Sequence, residues 1–193
     1  MALGRRGLVT VGAAVACCAL TAACTSEPAP GATSSPTSQA ATPSESQIER
    51  EMRLDYEAAE KAYRANMAEQ DRQSQLGIAV KTEELTSTAS GNYLRFVLQV
   101  LRDIRDSGWR AQGVTTIRGV VRDGWQQDQV LLTACEDSAD VKFTDEKGRD
   151  VTPKHVTRTY VQHLTVTRDQ GRWRVSDVAS RSVKTYAGVT CAA

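Results

Sequence analysis

The spacing of the apolar residues changes once along this chain, and that change restricts the fold more than any other feature. Ahead of Gly113 apolar side chains recur every three or four positions; beyond it they alternate. The first stripe is Ile48, Met52, Tyr56, Ala59, Tyr63 and Met67, backed by Glu49, Arg50, Arg53, Glu57, Lys61 and Arg64. One apolar and one charged face at that spacing predict an amphipathic helix from Ser46 to about Gln70. Ser46 and Glu49 have the spacing of a capping box. Gly77 breaks the pattern, and Thr82-Glu83-Glu84-Leu85 predicts a short helix. A longer one is expected over 91–107, with Tyr93, Phe96, Val97, Val100, Leu101 and Ile104 as its stripe and Gly108 as its stop.

After Gly113 the alternation predicts strands at 114–122, 129–137, 139–144, 156–168, 172–180 and 182–189. Asp123-Gly124, Glu146-Lys147-Gly148 and Asp169-Gln170-Gly171 are the turn signals between them. Helices followed by a run of strands on short turns mean an α+β domain, with amphipathic helices on an antiparallel sheet of about four to six strands. In the longest strand Val156, Tyr160, Leu164 and Val166 share one face, and Arg158 and Gln162 belong to it by parity. His155, Thr157, Thr159, His163, Thr165 and Thr167 share the other, with Val161. The first set should face the helices, as should Trp173 and Val175.

Composition divides the chain further. Residues 1–23 read as an export signal: Arg5 and Arg6, an uncharged run from Gly7, and small residues before Cys24. The end of that segment resembles a lipoprotein signal, which makes Cys24 the expected lipidated residue, although Thr21 stands where Leu is usual. Residues 24–45 hold the lipid-bearing cysteine and a Ser/Thr/Pro/Ala tether with no large apolar side chain. As a flexible coil the tether would span ~25 Å. Residues 46–193 are left for one folded domain.

Cys17 and Cys18 would leave with the signal. Cys135 and Cys191 then remain as an even pair in an oxidising compartment, which favours one disulfide, worth ~4 kcal/mol in the chain-entropy model. Loss of Arg5 and Arg6 takes the formal net charge from +1 to −1. Neither value suggests nucleic acid as a partner. Stable membrane attachment would rest on two or more acyl chains rather than on charge.

The helix-then-sheet order resembles the nuclear transport factor two-like superfamily, also called the SnoaL-like or cystatin-like cone. Three local patterns carry it: Tyr56-x-x-Ala59 with Tyr63, the strand end Ala134-Cys135-Glu136-Asp137, and Gly171-Arg172-Trp173-Arg174-Val175. They are similar to those of actinobacterial lipoproteins of that superfamily, in which a late cysteine commonly pairs with the strand cysteine. The resemblance implies a curved sheet wrapped around helices with a possible pocket between, and leaves activity open.

Tyr63, Arg158, Tyr160 and Gln162 are the side chains expected at such a pocket. Enzymes of this fold class place carboxylate, His or Tyr groups inside the cone, so His155 or His163 with Asp137 or Asp140 would be the catalytic pair. The strand parity instead puts both histidines on the polar face. Trp109 and Trp125 fall at element ends, where exposure would mark a partner surface. Glu136-Asp137-x-x-Asp140 is an acidic cluster without calcium-loop spacing. No phosphate loop, nucleophile elbow, metalloprotease motif or cofactor motif is present. The expectation is a non-catalytic envelope lipoprotein, lipid-anchored outside the cytoplasmic membrane, that binds another protein or a ligand, with an envelope protein as the candidate partner and the specific role open. A carrier of a small apolar ligand and an isomerase- or cyclase-like enzyme are the alternatives. A phage- or accessory-element-borne gene is a contextual one.

Overall fold

Ser46 opens the first helix as the spacing predicts. Its side chain accepts from the Glu49 amide at 3.2 Å, and its own amide donates to Glu49 Oε2 at 2.8 Å. Two otherwise orphaned amides at the helix start are thereby satisfied. The computed structural model describes residues 45–77, 81–154, 158–181, 185–186 and 189–190, with side chains up to 179. The signal segment, Cys24, the tether, His155, Val156 and Cys191 lie outside the described residues.

Helix α1 (Gln47–Leu76) runs well past the expected end, until Gly77 at φ 71° stops it. Tyr56, Ala59, Tyr63 and Met67 are buried, but Ile48, the first member of the predicted stripe, is 66% exposed. It sits a full turn before the helix reaches the sheet. Helix α2 (Thr82–Thr86) and helix α3 (Gly91–Asp106) follow. In α3 Tyr93, Val97, Leu101 and Ile104 are buried, whereas Phe96 and Val100 are 52% and 40% exposed. The apolar arc of α3 includes Leu94 and Leu98 on its other flank, both packed against the core. The arc is wider than the contact, and the helix is turned toward the leucines.

Strands β1 (Arg110–Gln112) and β4 (Lys142–Thr144) form a small pair. The three-residue β1 is too short to show alternation, and it was not expected. The main antiparallel sheet is ordered β2 (Thr116–Gln126), β3 (Gln129–Asp137), β5 (Thr159–Asp169), β6 (Arg172–Arg181). The strand expected at 182–189 is instead a short pair, β7 (Thr185–Tyr186) and β8 (Val189–Thr190). The chain is therefore α+β: helices on one face of a curved four-stranded antiparallel sheet, with small two-stranded additions.

The β5–β6 hairpin turns at Gln170 and Gly171, both at positive φ (50° and 74°), the backbone of a type I′ turn. Asp123-Gly124 is not a turn. The strand runs through it with a shifted register between Arg122 and Gly124, and the hairpin closes at Gln127-Asp128. Asp123 is the extra residue of this bulge. A Cβ on Gly124 would meet Leu131 Cδ1 at 3.2 Å, so glycine suits the close cross-strand approach.

The core lies between α1, α3 and the inner sheet face, where Val130, Leu132, Ala134, Leu164, Val166 and Val175 pack under Tyr56, Tyr63 and Tyr93. Leu164, Val166, Trp173 and Val175 thus face the helices, as their parity predicts. On the opposite face Cys135 and Val161 form a second cluster with Val121, and the backbone of β8 runs close to β2 and β3. Cys135 is disulfide-bonded; Cys191, its expected partner, is outside the described residues. Among the described residues no helix is long and apolar enough to cross a membrane.

Candidate functional site

The inner face of β3 places Val130, Leu132, Ala134 and Glu136 in one row, so the strand that supplies the core also carries a carboxylate into it. Glu136 is 5% exposed. Tyr63 donates its hydroxyl to Glu136 Oε1 at 2.6 Å, and Gln162 Nε2 donates to Oε2 at 2.9 Å. Both oxygens are thereby met by neutral donors, the arrangement a buried carboxylate requires. Burial pushes the Glu136 carboxyl above the usual carboxylate range. The two donors pull it back, and the charge of Asp71 adds to the rise. Burial likewise raises Tyr63, helped by the neighbouring Glu136 charge, and raises Tyr93 for the same two reasons.

A second layer supports this centre. Gln70 donates to the Tyr93 hydroxyl at 2.8 Å, and Asn66 donates to Thr88 Oγ1 at 3.0 Å. Asp71, half-buried, accepts from the Thr115 amide at 2.9 Å and from its hydroxyl at 3.1 Å. Burial raises its carboxyl against those two bonds. A surface groove of ~410 Å³ lies beside Asp71, with Met67, Ala68, Val114 and Ile117 as its apolar lining and Arg64 and Arg72 at its side.

Of the four expected pocket residues, Tyr63 and Gln162 meet at Glu136, and Tyr160 stands opposite Glu136 in the β3–β5 register. Arg158 does not join them. Its guanidinium donates to Val141 O at 2.8 Å and Ser138 O at 3.3 Å, clamping the segment that follows β3. Arg158 lies beyond the last pair of the β3–β5 register and lines a separate surface hollow of ~470 Å³ with Asp150, Thr152, Pro153 and Lys154.

Glu136, the hub, is a residue that the sequence places in the strand-end pattern and the acidic cluster, not among the pocket residues. That cluster is dispersed. Adjacent strand residues point to opposite faces, so Asp137 lies outside, held by Arg118 Nε at 2.7 Å and by the Ala139 amide at 2.9 Å. These bonds hold its carboxyl below the usual range, the Ala139 amide most strongly. Among the described residues no group of three potential ligands could hold a metal ion.

The outer face carries a different set. His163 Nδ1 lies 2.9 Å from Thr133 Oγ1, and the Thr133 hydroxyl donates to Asp123. With its only proton given to Asp123, Thr133 accepts from His163, which places a proton on Nδ1. His163 is thus on the polar face, as predicted, but its chain leads to Asp123 and not to Asp137 or Asp140. Thr133 is fully buried, which bars it from acting as a nucleophile on an external substrate.

The tryptophans have internal partners. Trp109 packs on Phe143, ring centroids 6.1 Å apart, and Trp125 donates to Asp55 at 2.9 Å. Asp55 also takes Arg168, which reaches Asp128 and stacks over Trp173. This latch ties the start of α1 to both hairpin ends instead of forming an exposed aromatic surface.

No family model and no curated protein matches the chain. Two solved structures are similar to it. One is the intermembrane space region of the chloroplast protein ARC6, at 16% identity and TM-score 0.42, covering 63% of this chain and 95% of that one. The other is Aln2 from a Streptomyces species, at 13% identity and TM-score 0.40, covering 66% and 89%.

Proposed function

We propose that this chain is an extracytoplasmic lipoprotein, held by acyl chains on Cys24 at the outer face of the cytoplasmic membrane, whose domain binds another envelope protein through its surface. We read the domain as a member of the nuclear transport factor two-like cone class, on the order of its helices and the bend of its sheet. The observation that carries the binding reading is the packing of the interior among the described residues. Tyr63 and Gln162 occupy both oxygens of Glu136, and side chains of α1, α3 and the sheet fill the space a carried ligand would need. The tether keeps that surface a short distance from the bilayer.

The anchor is tested by intact mass of the chain extracted from membranes. A diacyl or triacyl increment on a chain beginning at Cys24, absent from Cys24→Ala, is the expected result; a soluble, unmodified chain overturns it. A second reading, proton transfer by Glu136, is favoured by its raised carboxyl and by the groove beside Asp71. Glu136→Gln separates the two. Surface binding leaves the cellular role of a normally folded E136Q chain intact, whereas loss of that role with unchanged folding favours proton transfer.

A further inference from the structure

We propose that the outer sheet face between Asp123 and Asp177 docks a cationic segment of the partner protein, an arginine or lysine beside an apolar side chain. The inference rests on the surface-binding reading above. Near Cys135 the outer face carries Val161 and Val121. Further along the same strands a hollow of ~310 Å³ is lined by Asp123, Leu131, His163, Thr165, Asp177 and Ala179, among others. The register puts these side chains together. Leu131 stands opposite Thr165 and Thr165 opposite Asp177; Thr133 stands opposite His163 and His163 opposite Ala179.

Two irregularities complete the hollow. The bulge in β2 displaces Asp123 beside Leu131, and the register shift in β6 after Val175 brings Asp177 onto the outer face. Asp123 and Asp177 are exposed, and neither makes an ion pair among the described residues. Among the described residues the hollow's lining contains two carboxylates and no arginine or lysine. Arg122, next to Asp123, turns to the opposite face and lies over the Tyr56 ring at 5.3 Å. At the centre Leu131 is 40% exposed. An apolar spot between two carboxylates complements a cation flanked by an apolar group, and it repels acidic peptides and anionic headgroups. A second copy presenting this same face would bring its own Asp123 and Asp177 against these.

The test uses the full chain and two fluorescent peptides of equal length, one alternating Arg and Leu, the other Glu and Leu. The Arg/Leu peptide is expected to bind in a salt-sensitive way, with affinity at least tenfold weaker for D123N/D177N and for Leu131→Lys. The Glu/Leu peptide is expected not to bind. Leu131→Lys changes an exposed side chain, so it keeps the test informative where the double variant folds poorly. Equal binding of the two peptides, no binding of either, or unchanged affinity in the variants overturns the proposal. A photoreactive residue at position 131, with another at position 96 on α3, then separates this inference from the general reading. A crosslink from 131 to an Arg- or Lys-bearing peptide, lost in D123N/D177N, supports it. A crosslink from 96 alone overturns it and leaves surface binding standing. A crosslink from 131 to a second copy overturns it, and none from either position overturns both.

Discussion

On its helix-covered face the sheet holds the carboxylate of Glu136, fixed between two neutral donors at 2.6 and 2.9 Å. On its other face it holds Asp123 and His163, joined through Thr133, beside a half-exposed leucine. Both faces thus contain a hydrogen-bonded acid, but burial sets different requirements. Inside, each oxygen must have a partner, because an unpaired buried acceptor costs its full desolvation. Outside, water supplies the missing partners, so Asp123 and Asp177 can stand without cations and remain available to a ligand. The inner network therefore reads as architecture and the outer one as recognition.

Leu132 tests the inner side of this comparison most strongly. It is 1% exposed and lies in the main core. Leu132→Ala is expected to destabilise by about 2–5 kcal/mol, through lost burial and the cavity left behind. Chemical denaturation with two-state analysis measures it; a loss below ~1 kcal/mol would mean that the core collapses into the space.

Tyr63→Phe is the next largest. It deletes one of the two donors to a buried carboxylate and leaves Glu136 Oε1 unpaired, at a cost of about 1–3 kcal/mol. The same change should raise the Glu136 carboxyl further, since the lost bond favoured the ionised form. A Tyr63→Phe variant as stable as wild type at neutral pH would mean that water reaches Glu136.

Acidity gives a smaller effect with a definite sign. An unfolded glutamate titrates at about 4.3, and burial raises the folded Glu136 above that. The stability that Glu136 contributes is therefore fully present below the unfolded value and is lost as pH rises through the folded one. Glu136→Gln removes this dependence, and the Gln162 amide can rotate to accept from the new side-chain nitrogen. Thermal midpoints between pH 4 and 8 should show wild type losing ground to E136Q as pH rises. A constant difference would place an ionised carboxylate at ease in the core, contrary to its burial.

Much of the inner face was legible in the sequence, because parity is a strong signal in a nine-residue strand. Val130, Leu132, Ala134 and Glu136 are all even-numbered, so the carboxylate could be assigned to the core from the sequence alone. Reading Glu136 with Asp137 as one cluster ignored that neighbours in a strand point apart. The outer site was less legible. It depends on a bulge and a register shift, and both break the alternation from which faces are inferred. Asp123-Gly124 has the composition of a turn, and only the pairing of Gly124 with Leu131 across the bulge reveals a continuous strand. In α3 the six-residue stripe was correct as a pattern. The pattern could not say which flank of a wide apolar arc would meet the sheet, and Leu94 and Leu98 prevailed over Phe96 and Val100.

The smallest expected effect is the sharpest contrast, because it concerns the residue next to Leu132. Leu131 has the same side chain and sits on the same strand, but points the other way and is 40% exposed. Part of it covers Gly124 on β2, a contact that Leu131→Ala removes. The expected loss is ~1 kcal/mol or less, since apolar stabilisation follows the area withdrawn from water. The cationic peptide should nonetheless bind measurably more weakly, because its apolar contact is gone. A variant that loses stability without losing affinity would turn the assignment around: Leu131 would then be part of the packing, and the outer face would have no apolar anchor to offer.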